Sequence, residues 1–391
     1  MTDREAIELL KGLLSTYSPS GEEAEAVVVL AEQLSASGLA VEVDEVGNLI
    51  ATWGEPPMKG GVREPDLLLL GHIDTVPGYI PVREEGGKLY GRGAVDAKGA
   101  LCAFSCALIR CRKALEGASV VLVAAVGEEA EGEGAKHILP CFRPKMVIIG
   151  EPSGWQGITL GYKGRLVVDW LLELPTNHSA SPRPSALEQA FVFGRRLSLL
   201  ARRFNRGKTG AFQRLDVAPR DVSFSSDGLR DRVELELTLR LPPGLAAEGL
   251  KGEIRKAAGE ATVSFRGGEA AFLAPKNTPL VRAFLQAIRA EGGRPRFKLK
   301  TGTSDMNVVG PVWGCPILAY GPGDSALDHT PQEHLELSEF LKAAKVLEKA
   351  LLRLSGTGKG AQRRPGAPSP GTRTRRSSHL RDCDSTNTST R

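Results

Sequence analysis

The sequence predicts an α/β protein with a central mixed sheet, interrupted by a smaller α+β segment. Three observations carry this expectation. Four short apolar runs, at 67–70, 119–126, 146–149 and 316–320, have the unbroken hydrophobicity of strands buried on both faces. Amphipathic helical periods lie between and around them. Residues 161–271 follow another order (strand, helix, two strands, helix, strand), which fits a small sheet of their own. The chain therefore divides into residues 1–160 and 272–355, two parts of one larger domain, with 161–271 between them and a tail at 356–391.

Residues 4–16 predict a helix, because Ile7, Leu9, Leu10, Leu13 and Leu14 make one apolar stripe. The loop Ser18-Pro-Ser-Gly leads into a second helix at about 21–37, ended by Gly38. Residues 39–46 alternate polar with apolar, as a half-exposed strand does, and 48–53 continue as its hairpin partner. A long apolar helix is expected at about 97–115. In the interrupting segment, strands are expected at 164–174, 211–225, 232–241 and 261–265, with helices at 186–204 and 246–258. A final amphipathic helix is expected at about 337–354.

Composition is that of an ordinary soluble protein, 41% hydrophobic and 25% charged. No apolar run reaches the roughly 18 residues of a membrane span, and the charged start Met1-Thr-Asp-Arg-Glu lacks the apolar core of a secretion signal. A cytoplasmic protein with no membrane contact is expected. None of the six cysteines forms a CxxC pair, which points away from a cysteine metal site. The net charge of +5 is misleading. The tail holds eight basic and two acidic side chains, a net of +6, so the body carries −1 and gives no support to nucleic-acid binding. The tail itself, poor in apolar residues, is expected to be disordered.

The apolar strands end in residues that suit hard or borderline cations. The first delivers His72 and Asp74, the second Glu128 and Glu129, the third Glu151, and the fourth is followed by His329. Ligands of open α/β sheets bind just outside the carboxyl ends of the strands. Each feature alone has a bland reading: His-x-Asp as surface loop, Glu128-Glu129 as a solvated acidic turn, Asp96 as the cap of the helix that follows it. Together, two histidines and several carboxylates suit one or two divalent ions such as Zn²⁺. Within 161–271, Arg195-Arg196 and Arg202-Arg203 recur at close to two helical turns and so share a face. That face is either simple solvated surface or a docking face for an acidic partner.

The ordered motifs Gly71-His-Ile-Asp-Thr-Val-Pro77, Gly91-Arg-Gly-Ala-Val-Asp-Ala-Lys-Gly99, Gly127-Glu-Glu129, Gly150-Glu-Pro-Ser153 and Asp328-His-Thr-Pro331 resemble the dinuclear zinc amidohydrolases. That family includes acetylornithine deacetylase, succinyl-diaminopimelate desuccinylase and glutamate carboxypeptidase. The resemblance covers about residues 1–355. It implies a zinc-peptidase-like catalytic domain interrupted by a lid that usually forms a homodimer. It implies that His72 and His329 each bind one ion, Zn²⁺ or Co²⁺, that Asp96 bridges the two, and that Glu129 and Glu151 complete the sets. Asp74 would orient His72. Glu128 would be the general base, taking a proton from the attacking water and passing it to the leaving amine. His178, reaching in from the partner subunit, would stabilise the oxyanion.

Within the family, Lys298-Leu-Lys-Thr-Gly-Thr-Ser-Asp-Met-Asn307 resembles hydrolases that release lysine or ornithine from a small acidic amino-group carrier protein, LysW. The bond cleaved there joins the amino acid's α-amino group to the γ-carboxyl of the carrier's C-terminal glutamate. On that reading Ser304 and Asp305 contact substrate, and Arg195, Arg196, Arg202 and Arg203 dock the carrier. A small-molecule N-acyl amino acid deacylase needs no such docking face. The same motifs also admit an aminopeptidase or carboxypeptidase, and a metal-free binding protein of the same fold. Intact metal ligands and an intact Glu128 argue against a metal-free binding protein, since binding alone does not need the base.

Overall fold

Strands with no polar face must be covered on both sides, and that requirement sets the architecture. The computed structural model describes residues 1–359. Helices α1 (Asp3–Ser15) and α2 (Ala24–Ala36) precede the hairpin of β1 (Ala40–Val43) and β2 (Leu49–Trp53). A capping box opens α1: the Thr2 hydroxyl accepts from the Glu5 amide, and the Glu5 carboxylate accepts from the Thr2 amide. Then come β3 (Leu67–His72), α3 (Lys98–Cys111), β4 (Val120–Ala125), β5 (Val147–Gly150) and β6 (Gly157–Tyr162). The interrupting segment supplies β7 (Gly164–Pro175), α4 (Ala186–Phe204), β8 (Asp216–Ser226), β9 (Arg230–Leu241), α5 (Ala247–Ala258) and β10 (Thr262–Gly267). The chain returns through β11 (Phe272–Leu273), α6 (Pro279–Ala290), β12 (Arg296–Lys300), α7 (Asp305–Trp313), β13 (Ile317–Ala319) and α8 (Leu337–Lys359).

The larger sheet is mixed, in the order β1-β2-β4-β3-β5-β13-β6-β11, with β12 paired to β6. Its centre is parallel: β3 runs with β4 and β5, and β13 runs with β5. All four therefore end at one edge, which is what later gathers the site. Helix α3 is buried along almost its whole length and lies close over this sheet. Glycine permits the approach: a Cβ at Gly150 would sit 2.9 Å from the Phe104 ring and 3.1 Å from the Gly71 Cα.

The second sheet, β8-β9-β7-β10, is antiparallel, with α4 and α5 on one face. Alternation along the strands divides its faces. Leu166, Val168, Trp170 and Leu172 of β7, with Val233, Leu235, Leu237 and Leu239 of β9, pack under the helices. Arg165, Val167, Thr238 and Arg240 point the other way, toward a cavity shared with the larger sheet. Trp170 is 1% exposed and stacks on Phe193 of α4 with ring centroids 5.7 Å apart. Trp170→Ala is expected to destabilise this sheet by about 3–5 kcal/mol, measurable as a lowered denaturant midpoint for the segment; an unchanged midpoint would show that α4 does not depend on this contact.

Several expectations need adjustment. The helix expected to 115 is α-helical only to Cys111 and finishes as a 3₁₀ turn, Arg112–Leu115. The strand expected from 211 starts as a 3₁₀ turn, Ala211–Gln213, and is extended only from Asp216. Helices α6 and α7 and strand β12 add to the expected elements, although Thr278 capping and Pro279 at the first turn of α6 form a legible start signal. Five cysteines among the described residues are free, and Cys102 and Cys106 are buried in α3 as small apolar side chains. Among the described residues no helix is long and apolar enough to cross a membrane. The expected disorder of the tail concerns residues that lie mostly outside those described.

Candidate metal centre and active site

β3 delivers His72 and Asp74 into the interior, 1% and 0% exposed. His72 Nδ1 lies 3.0 Å from the Asp74 carbonyl oxygen and 3.4 Å from Asp74 Oδ1. With Nδ1 turned there, Nε2 is the nitrogen that faces Asp96. The Asp74 carboxylate also accepts from Ser20 Oγ at 2.7 Å, the Glu128 amide at 3.1 Å and the Glu129 amide at 3.0 Å. One buried carboxylate thus fixes both the histidine that ends β3 and the two glutamates after β4.

Asp96 faces both histidines. His72 Nε2 is 3.3 Å from its Oδ1, and His329 Nε2 is 3.1 Å from its Oδ2 and 3.0 Å from Glu129 Oε1. The bland reading of Asp96 as the cap of α3 does not hold: the cap position is Ala97, with no side-chain capping bond. His329 adopts φ 61°, a conformation uncommon outside glycine, and this turns its ring toward Asp96. Glu333 secures the Asp96 loop, its carboxylate accepting from the Val95 and Asp96 amides at 2.9 and 3.1 Å and from Arg92 Nη1 at 2.8 Å. Glu151 follows β5 and is 7% exposed. His72, Asp96 and Glu129 each place one ligand atom within 4.8 Å of the others, a spacing at which an ion could be held.

The electrostatics are those of a buried acidic site. Burial alone would raise Asp96, but hydrogen bonds from His329 and His72 outweigh it and hold its carboxyl well below the usual range. Burial pushes Glu151 well up, helped by Asp96. Glu128 is pushed well up by burial, against the pull of His72 and with Glu151 and Asp305 adding to the rise. His329 rises to about 10 through its bonds to Asp96 and Glu129. Carboxylates are kept this close and this dry at low cost only when a cation joins them.

A cavity of about 1140 Å³ opens between the two sheets. Asp96, Glu128, Glu129, Glu151, Ser304, Asp305 and His329 all line it. The Ser304 hydroxyl is engaged as the cap of α7, accepting from the Met306 amide at 3.3 Å, and Asp305 behind it rises to about 7 through burial. His178 does not line the cavity; it is exposed, its Nδ1 accepting from the Ala180 amide at 3.1 Å. Arg195, Arg196, Arg202 and Arg203 are also exposed, but they project from α4, which covers the face of the second sheet opposite the cavity. The basic side chains beside the site are others: Arg165, Arg220, Arg240, Arg266, Lys298 and Lys300. Arg165 and Arg240 escape a reading of the sequence, because charged residues alternating on a strand look like a solvated face unless the second layer is known. Arg240 Nη1 donates to Thr303 Oγ1 at 2.9 Å, and Asn307 Nδ2 donates to the Lys163 and Ala270 carbonyls at 3.2 and 2.8 Å, so the 300–307 loop is tied to both crossings between the sheets.

His72 and His329, gathered with Asp96, Glu128, Glu129 and Glu151 at one sheet edge, offer the donors that a metal-binding hydrolase requires. The chain belongs to peptidase family M20/M25/M40, whose family model matches residues 68–353. It is 45% identical over 359 residues to a LysW-lysine hydrolase from Deinococcus radiodurans, covering 90% of this chain and 97% of the relative. It is 38% identical to a Thermococcus kodakarensis protein named as a candidate LysW-lysine/LysW-ornithine hydrolase, covering 94% and 97%. In fold it is similar to a dinuclear metal-binding M20 peptidase from Bacillus subtilis, with a TM-score of 0.60, 13% identity, and 90% and 97% of the two chains covered.

Proposed function

We propose that the protein is a dinuclear-metal amide hydrolase that releases lysine, and also ornithine, from the C-terminal glutamate γ-carboxyl of an acidic amino-group carrier protein. The near-full-length likeness to the Deinococcus radiodurans hydrolase carries this reading. The donor set suits two Zn²⁺ or Co²⁺ ions: His72 and Glu151 for one, His329 and Glu129 for the other, and Asp96 between them. Bound there, the ions supply Lewis-acid polarisation of the scissile carbonyl and of water.

The chain's own residues do the rest. Asp74 sets the His72 ring and, through two amides, the Glu128-Glu129 turn. Glu128 accepts a proton from the attacking water and returns it to the α-amine that leaves as the amide C–N bond breaks. Arg165, Arg220 and Arg240 form a positive wall for carboxylates of the carrier end and of the released amino acid. Residues 161–271 act as a lid. Its edge strand β8 exposes Val222 and Phe224, and α4 exposes Phe191 and Leu199, an apolar face suited to a second copy. Such a homodimer would let His178 act on the partner's cavity. The lysine and arginine biosynthetic setting and a cytoplasmic location belong to this reading.

The test is hydrolysis by the zinc-loaded protein of carrier-linked lysine against free N-acetylornithine. Release from the carrier alone is expected. Preference for N-acetylornithine would instead make this a small-molecule deacylase, and cleavage of dipeptides over both would make it a peptidase. A second expectation concerns pH. His329 must give up the proton it holds below about pH 10 before it can bind zinc. Apparent zinc affinity should therefore rise with pH, by up to about tenfold per unit for this group, and level off above pH 10. Proton release measured by calorimetry in buffers of different ionisation enthalpy checks this; zinc binding without proton release would remove His329 from the ligand set.

A further inference from the structure

We infer that Tyr162 and Asp328 form a subsite for the side-chain ammonium group of the released amino acid. The inference rests on the reading that a diamino acid is the leaving group. Among the described residues, five buried side-chain polar atoms have no hydrogen-bond partner, and four belong to residues lining the cavity: Tyr162 Oη, Arg165 Nε, Glu269 Oε2 and Asp328 Oδ1. Buried polar groups are nearly always paired, so such a concentration marks where a ligand completes the bonding. Arg165 and Glu269 stand 3.9 Å apart and answer each other's charge. Tyr162 and Asp328 have no such counterpart. Tyr162 is 1% exposed, at the end of β6, and lines the cavity together with Glu151, Asp96, Glu128 and Asp328. Asp328 makes no ion pair among the described residues; the nearby Lys300 Nζ lies 5.9 Å from the Tyr162 ring centre.

The chemistry of the ligand follows. An ammonium group offers three donors and no acceptor, and a phenol oxygen and a carboxylate oxygen can both accept from it. The character of the cavity agrees. Asp96, Glu128, Glu129, Glu151, Asp305 and Asp328 make this end of it acidic. The opposite wall, with Arg165, Arg220 and Arg240, is positive, so carboxylates are drawn there and the ammonium here. Asp305, which is neither a proposed ligand nor the base, has no orphaned buried oxygen.

The experiment compares binding of free L-lysine and L-norleucine, which differ at the ε-ammonium, to the zinc-loaded full chain by calorimetry. The wild type should bind lysine roughly 10–100-fold more tightly, the range expected for one charged hydrogen-bonded contact. Asp328→Asn should bring the ratio close to one and Tyr162→Phe should lower it severalfold, with zinc content measured alongside. Equal binding by the wild type, or an undiminished ratio in Asp328→Asn, overturns the subsite. Carrier-linked lysine and carrier-linked norleucine separate the two readings. Cleavage of both at equal rates removes the subsite and keeps the carrier. Cleavage of neither, with lysine still discriminated through Asp328, keeps the subsite and removes the carrier.

Discussion

Glu128→Gln is expected to lower kcat on carrier-linked lysine by roughly 10²–10⁴-fold, the range for loss of a general base. KM and zinc content should stay close to wild type. The expectation follows from position. Glu128 lines the cavity beside the ligand cluster, and its backbone, not its carboxylate, is held by Asp74 at 3.1 Å. Among the described residues its carboxylate has no hydrogen-bond partner, so it is free to receive a proton. Glutamine keeps the volume and the backbone bond but cannot accept that proton. Single-turnover rates with zinc measured on the same sample decide the matter. A variant that keeps a tenth of the activity would move the base elsewhere. A variant that loses zinc as well would make Glu128 a ligand rather than a base.

Asp96→Asn is expected to empty the metal centre, lowering zinc affinity by more than about 100-fold, beyond the effect of removing an outer hydrogen-bond partner of a ligand. Asp96 offers Oδ1 to the side of His72 at 3.3 Å and Oδ2 to the side of His329 at 3.1 Å. Asparagine offers one oxygen and no charge, and its NH₂ would face a nitrogen that must keep its lone pair. Zinc stoichiometry from equilibrium dialysis should fall from two ions per chain to one or fewer. Two ions held at wild-type affinity would show that the histidines and glutamates suffice and that Asp96 does not bridge. Asp74→Asn gives a useful contrast: it should weaken zinc by about 10–100-fold while sparing stoichiometry at saturating metal.

Much of this is legible in the residues. The apolar runs at 67–70, 119–126, 146–149 and 316–320 form four strands at the centre of one sheet, because a strand without a polar side has nowhere else to go. His72, Asp74, Glu128, Glu129, Glu151 and His329 can be picked out because each follows such a run. The hydrophobic period and the strand-end residues are local properties, written within a few positions of each other. The sequence by itself determined the mixed α/β class and the interruption by a second sheet, and it picked out the candidate cation donors.

What only the tertiary structure decided is which of these meet and from which side. Parallel pairing of β3, β4, β5 and β13 brings residues 72, 129 and 151 to one edge, and His329, at φ 61°, meets Asp96 and Glu129 from across it. The arginines of α4 show the converse. Their helical spacing is plain in the sequence, yet α4 covers the far face of its sheet, while the less conspicuous Arg165 and Arg240 on alternating strand positions face the site. The orphaned hydroxyl of Tyr162 and oxygen of Asp328 are equally invisible in one dimension. Periodicity fixes which residues share a face. Which face meets the cavity depends on packing between segments more than a hundred residues apart, and no local pattern records that.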